Sequence, residues 1–83
     1  MFSLPVCVGL DYHDSVVQVC VLDRDGTVLA NRPCGNKLRE ILNVVGIRGS
    51  GVFAAIEACN GSASLAEKLI EQGGWSVDVA HPG

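Results

Sequence analysis

The alternation of hydrophobic and polar positions divides the first part of the chain into three short strands. Residues 6–10 form a continuous apolar run that ends on Asp11, and residues 16–22 form a second run rich in β-branched side chains. Residues 23–26, Asp-Arg-Asp-Gly, are typical of a hairpin turn, because glycine adopts positive φ without steric cost. Residues 27–30 then return as a third strand. This part of the chain is therefore predicted to be an antiparallel meander.

The pattern changes to a helical period after residue 35. An apolar stripe with the spacing i, i+3, i+4 and i+7 predicts a helix near residues 36–45, with Asn36 as its N-cap. A second helix is predicted near residues 63–72, where Ser64 and Glu67 match a capping box. Glycines follow both stretches, as they commonly do where helices end.

Two further strands complete the pattern. Residues 52–56 form an apolar run that ends on Glu57, and residues 75–80 alternate apolar and polar side chains. The element order is thus βββαβαβ. Since crossovers between parallel strands are right-handed, we predict an α/β fold with a mixed five-stranded sheet of strand order 3-2-1-4-5. The continuous apolar runs predict that the first and fourth strands are buried on both faces, whereas Trp75 is expected to be only partly buried.

Size and composition are those of one small folded domain. The chain has 83 residues, 48% of them hydrophobic and 18% charged, with a formal net charge of −3 and a pI of about 5.1. Such a surface does not attract a polyanion by bulk electrostatics. No apolar run approaches the ~18 residues that a membrane-spanning helix needs, and no signal peptide is evident, so we expect no membrane contact.

The four cysteines include no Cys-x-x-Cys pair, which argues against a zinc site. Cys7 and Cys20 lie inside apolar runs, where a thiol behaves as a small buried hydrophobe. We therefore expect four free structural thiols and a cytoplasmic protein.

Two carboxylates stand at the ends of the two central strands, Asp11 after the first and Glu57 after the fourth. In the order 3-2-1-4-5 these strands are parallel neighbours, so both side chains emerge at the carboxyl edge, where open α/β sheets place their sites. Two acids that close repel each other unless a cation neutralises them, and hard oxygen ligands select Mg²⁺ or Mn²⁺. A pair of such ions can hold both oxygens of an in-line phosphoryl transfer. We predict that Asp11 and Glu57 are metal-binding and catalytic.

Simpler interpretations stand beside this one. A single acid after an apolar strand is usually a solvated turn residue or a helix cap. His13 is expected to be a solvated loop residue, although its place beside Asp11 would let it reach the metal's outer ligands. Asp78 lies inside an alternating strand and is not included in the site.

Two blocks of sequence resemble the DEDD transposases of bacterial insertion sequences. The first block is Val8-Gly9-Leu10-Asp11-Tyr12-His13 with the later Asp23-Arg24-Asp25-Gly26, and the second is Ala55-Ile56-Glu57-Ala58-Cys59-Asn60-Gly61-Ser62 with the later Gly74-Trp75 and Ala80-His81-Pro82-Gly83. The resemblance covers nearly all of the chain, and its specificity lies in the order and spacing of degenerate motifs. One departure is that many members carry a Lys shortly after the first Asp, where this chain has His13 and Asp14.

The resemblance implies a ribonuclease H-like, RuvC-like fold, with residues 1–83 as the truncated N-terminal part of one catalytic domain. It implies a DNA transposase or recombinase that uses divalent-metal-assisted strand cleavage and transfer, with Asp11 and Glu57 as two of four metal-binding acids. The other two acids and a serine nucleophile are expected beyond Gly83. The fragment is therefore expected to bind Mg²⁺ or Mn²⁺ weakly or not at all and to be inactive alone. Implied partners are DNA and a guide RNA. Because a truncated domain leaves apolar surface of its sheet uncovered, we also expect the chain to associate into a homo-oligomer.

Two alternatives remain open. The actin-like ATPases and sugar kinases share the strand order and also begin with a strand, an Asp and a hairpin. Their phosphate loop requires a glycine that lets backbone amides approach the phosphate, but Asp11 is followed by Tyr12-His13-Asp14. The second alternative is a non-catalytic α/β interaction module.

Overall fold

The computed structural model of the chain describes residues 5–13, 15–46, 51–57 and 61–80. These described residues form five strands and two helices in the predicted order. They are β1 (Val6–His13), β2 (Val16–Leu22), β3 (Val28–Gly35), α1 (Leu38–Val45), β4 (Val52–Glu57), α2 (Ser62–Gly73) and β5 (Ser76–Ala80).

All five strands belong to one mixed sheet in the order β3-β2-β1-β4-β5, which confirms the predicted α/β class and strand order. β2 pairs antiparallel with β1 and β3, and β4 pairs parallel with β1 and β5. β1 and β4 are therefore parallel neighbours at the centre, and their carboxyl ends meet at one edge.

The turn between β2 and β3 is built by the side chain of Asp23. Its Oδ1 accepts hydrogen bonds from the backbone amides of Asp25 and Thr27, each 2.9 Å long. Gly26 adopts φ 83°, the left-handed region that favours glycine. The predicted hairpin at residues 23–26 is confirmed, and an acid with a purely structural role shapes it.

Both helices end where the sequence predicts but begin differently. Gly46 and Gly74 terminate α1 and α2 in the left-handed conformation. The predicted N-cap Asn36 is wrong: Lys37 precedes α1 without a side-chain cap, while the Oδ1 of Asn36 accepts a hydrogen bond from the hydroxyl of Tyr12. The predicted capping box is also wrong, because α2 begins at Ser62 and Ser64 already lies inside the helix.

The hydrophobic core lies between one face of the sheet and the two helices. Strand residues point alternately into it, so burial along β1 and β4 alternates strictly over most of each strand. The fully buried side chains of the core include Val6, Val8, Val17, Val19, Val21, Ile41, Val45, Val52, Ile56 and Leu69. We call this helix-covered side the inner face and the opposite side the outer face.

The prediction that β1 and β4 are buried on both faces is wrong within the described residues. Both crossovers run in the same direction across the sheet, from β3 to β4 and from β4 to β5. Because crossovers are right-handed, both helices lie on the same side. Cys7 is consequently exposed and Cys20 only partly buried, contrary to expectation. Trp75 was expected to be only partly buried, but it is 2% exposed. This residue follows α2 in the chain and packs into the core.

Candidate metal site at the carboxyl edge of β1 and β4

The two predicted site residues lie at neighbouring positions on the outer face. In the parallel pairing of β1 with β4, Leu10 is opposite Ile56, and the next residues along the two strands are Asp11 and Glu57. Both carboxylates are exposed, whereas Leu10 and Ile56 point into the core. Glu57 ends its strand as predicted. Asp11 does not, because β1 continues for two residues through its pairing with β2.

A shallow concavity of about 490 Å³ lies between these carboxylates. Its floor carries Gly9 and Ala55, which are opposite each other in the sheet, and the space above the α-carbon of Gly9 is open. Small side chains at these two positions leave room for a ligand beside Asp11 and Glu57.

Gln18 on β2 forms the third side of this concavity and lies opposite Asp11. The side-chain nitrogen of Gln18 donates a 2.8 Å hydrogen bond to the Oδ1 of Asn31, on β3. This bond engages the nitrogen with Asn31, so the amide oxygen is the side-chain atom that Gln18 could offer to a cation. The donor set is thus two carboxylates and one amide oxygen, all hard oxygen ligands.

The described part of the chain contains no group of three or more His, Cys, Asp and Glu side chains arranged to hold a metal ion. His13 is exposed and shares a second concavity with Asp11 and Gln18. The structure therefore brings two carboxylates together, and no third acid joins them among the described residues. Asp14, Cys59 and His81 lie outside the described residues.

A different cavity, of about 320 Å³, lies near Tyr12, the next residue along β1 from Asp11. We call it the lysine cavity. Two lysines line it, Lys37 before α1 and Lys68 in α2, together with Asn36 and Ser64. No acidic side chain is among the described residues that line it. Sequence reasoning missed this cavity, because the two lysines are 31 positions apart and only the folding of α1 against α2 brings them together.

Both helices begin at the lysine cavity, and neither has a side-chain cap. Lys37 and Gly61, the residues that precede α1 and α2, are both part of its lining. The first amide groups of a helix lack partners inside the helix and carry partial positive charge. The lysines and the helix ends therefore give this cavity a positive character, close to the paired carboxylates on the other face.

Comparisons with known proteins do not assign the chain to a family. No protein-family model and no curated protein match the sequence. Among solved structures, the chain is similar to the Aquifex aeolicus member of the Ppx/GppA protein family, with 13% sequence identity and a TM-score of 0.45. The similarity covers 96% of this chain and 36% of the other, so the chain spans about a third of that protein's length.

The predicted transposase function is contradicted by this comparison. The Ppx/GppA neighbour matches the stated alternative, the actin-like ATPases and sugar kinases, better than a DNA transposase. The resemblance rested on short motifs, such as a strand followed by an Asp, that the two classes share. The expected DNA, guide-RNA and homo-oligomer partners and the expected cytoplasmic location stay predictions. No helix among the described residues is long and apolar enough to cross a membrane.

Proposed function

We propose that the carboxyl edge of β1 and β4 binds a divalent cation, Mg²⁺ or Mn²⁺, and that the chain contributes this site to an enzyme of phosphoryl transfer. The observation that carries the proposal is the register of β1 with β4, which puts Asp11 and Glu57 side by side on one exposed face. Of the interpretations open from the sequence, this one matches the actin-like ATPases and sugar kinases. These enzymes share their strand order with the ribonuclease H-like fold. That fold is the finer fold class that we propose for this chain.

The chemistry of the donor set fits a hard cation. Asp11 and Glu57 are expected to hold the ion, because neighbouring carboxylates repel each other when no cation lies between them. With few protein ligands, Mg²⁺ keeps several waters and takes its remaining ligands from substrate phosphates. When bound, the ion supplies charge neutralisation at phosphoryl oxygens. We therefore expect weak binding of the free ion and tighter binding when a phosphorylated ligand is present.

The phosphate group is expected in the cavity of Lys37 and Lys68. The tip of the hairpin between β1 and β2 contains no glycine, so its backbone is not suited to approach a phosphate closely. The lysine cavity offers ammonium groups and the uncapped ends of two helices instead. In this arrangement the chain's own residues bind and orient the phosphorylated ligand from both sides of the sheet edge.

Calorimetric titration with Mn²⁺ and Mg²⁺ tests the metal site. Asp11→Asn and Glu57→Gln should each weaken Mn²⁺ binding roughly tenfold or more, since each removes one of two charged ligands. Asp78→Asn is the matched control, because Asp78 is an exposed acid on the same face outside the pair. Equal loss in all three variants would mean that binding follows only the overall charge of the face, and the proposed site would be wrong.

A thermal shift assay with Mg²⁺ and a nucleoside triphosphate tests the phosphate position. The ligand should raise the melting temperature of the unmodified protein, and Lys68→Gln should reduce the increase. Arg39→Gln, which removes a positive charge from the exposed side of α1 outside the lysine cavity, should not. The same increase in both variants would remove the lysine cavity from the proposal.

A further inference from the structure

The outer face of the sheet is apolar at its amino-edge side and acidic at its carboxyl-edge side. The strand registers place Val28, Leu22, Cys7 and Phe53 in one row across β3, β2, β1 and β4. Val28 is 57% exposed and Phe53 is 49% exposed. Central strands of parallel pairs are normally covered on both faces, and a contiguous exposed apolar row marks a surface that another element covers.

The next row supplies a floor of small side chains. Cys20, Gly9 and Ala55 are opposite one another on β2, β1 and β4. A side chain added at Gly9 would meet no atom within 4 Å. The backbone of a helix can therefore lie close to the sheet here, with its apolar side chains between Leu22 and Phe53 in the neighbouring row.

Among the described residues, the Asp, Glu, Lys and Arg side chains on this face are all acidic. Asp11, Glu57 and Asp78 are exposed on it, and no Lys or Arg lies on it among the described strand residues. The described lysines belong instead to the helix layer, at Lys37 and Lys68. A helix that fits this face is apolar along one stripe and carries Lys or Arg beside that stripe.

We propose that the outer face binds a basic amphipathic helix of a partner protein. A second copy of the chain fits less well, because two outer faces in contact would bring their carboxylates together, and like charges across an interface are unfavourable. The exposed side of α2 of a second copy also offers two acids, Glu67 and Glu71, against one base, Lys68. This inference goes beyond the proposed metal site: the apolar row of Val28, Leu22, Cys7 and Phe53 lies outside that site, whereas the floor of Cys20, Gly9 and Ala55 is shared with it.

The probe is a pair of synthetic 18-residue helical peptides with the same leucine stripe, one with lysine and one with glutamate at the flanking positions. Binding to the whole chain is measured by fluorescence anisotropy in EDTA, so that failure of the metal proposal does not affect the result. The lysine peptide should bind at least about fivefold more tightly than the glutamate peptide, and added salt should reduce this difference.

Matched variants locate the binding surface. Phe53→Ser should weaken binding of the lysine peptide about fivefold, whereas Ile70→Ser should not, although Ile70 is 47% exposed on α2 and differs little from Phe53 in exposure. Asp78→Asn should weaken binding and Glu71→Gln should not. Val28→Ser provides a second test of the apolar row should Phe53→Ser fail to fold, as judged by circular dichroism.

Alkylation gives an independent readout, because Cys7 lies in the apolar row and should be protected by the lysine peptide while Cys34 is unaffected. Equal binding of the two peptides, or equal effects of Phe53→Ser and Ile70→Ser, would overturn the proposal. Sedimentation that shows a dimer abolished by Phe53→Ser would overturn it as well, because a second copy would then occupy the face.

Discussion

At the scale of single residues, the side chain of Asp23 stabilises a turn. Its carboxylate accepts two backbone amide hydrogen bonds within the β2–β3 turn. Asp23→Ala removes both acceptor contacts and should lower the free energy of unfolding by about 1–2 kcal/mol. Asp25→Ala, in the same turn, should change it by less than about 0.5 kcal/mol. Urea denaturation of both variants measures the difference, and equal losses would contradict this account of the turn.

The thiols differ in their expected reactivity. Cys7, Cys20 and Cys34 are free in the structure, while Cys59 lies outside the described residues. Burial raises the pKa of Cys34, and the carboxylate of Glu40 raises this pKa further against an opposing effect of Arg32. A raised pKa leaves less thiolate at a given pH, and the thiolate is the reactive form.

Among the three described thiols, alkylation with iodoacetamide near pH 8, followed by mass spectrometry, should therefore modify Cys7 first and Cys34 last. The difference should disappear in urea. The raised pKa also makes a stabilising contribution that is complete below the ordinary thiol pKa and is lost as pH rises through the pKa of the folded state. If Cys34 in the folded protein reacts as fast as Cys7, the burial of this thiol is not as the structure shows.

At the scale of elements, α2 offers a direct test of one-sided packing. Leu69 is fully buried against the sheet, and the adjacent Ile70 is 47% exposed on the opposite side of the helix. Leu69→Ala should cost about 2–5 kcal/mol through lost burial and the cavity left behind. Ile70→Ala should cost less than about 1 kcal/mol. Guanidinium unfolding compares the two, and similar costs would mean that the helix is rotated from the orientation described.

The elements themselves follow closely from local pattern. The change from a period of two to a period of 3.6 locates the strands and helices, and the positive-φ glycines at positions 46 and 74 end the helices as the sequence predicts. The residues at which the two helices begin do not follow from the local sequence pattern. The side chain of Asn36 is engaged by Tyr12, a residue 24 positions away, and no local pattern reveals that contact.

At the scale of the whole molecule, strand order follows from the chirality of crossovers, and the position of the candidate site follows from strand order. The sequence therefore brings Asp11 and Glu57 to one edge before any coordinates are known. What it does not reveal is the open outer face. Apolar runs such as residues 6–10 indicate that both faces of a strand are buried. Both crossovers run in the same direction across the sheet, however, so both helices cover the inner face.

The function is less predictable than the fold at this scale. Several enzyme classes place an acid after the first strand of such a sheet, so short motifs around Asp11 and Glu57 favoured a transposase that the structural comparison contradicts. The pairing of the two acids does not depend on that resemblance, because it follows from the register of β1 with β4. The fold of this chain therefore does not by itself determine its function.

The most direct test of the metal site is a nuclear magnetic resonance titration of the ¹⁵N-labelled chain with Mn²⁺. Paramagnetic broadening falls steeply with distance, so the amides that lose intensity first locate the ion. We expect the earliest losses at Asp11, Glu57 and Gln18, and we expect Asp11→Asn with Glu57→Gln to abolish them while the spectrum stays folded. Earliest losses at the Asp23–Asp25 turn, or no residue-specific broadening, would contradict the proposed site.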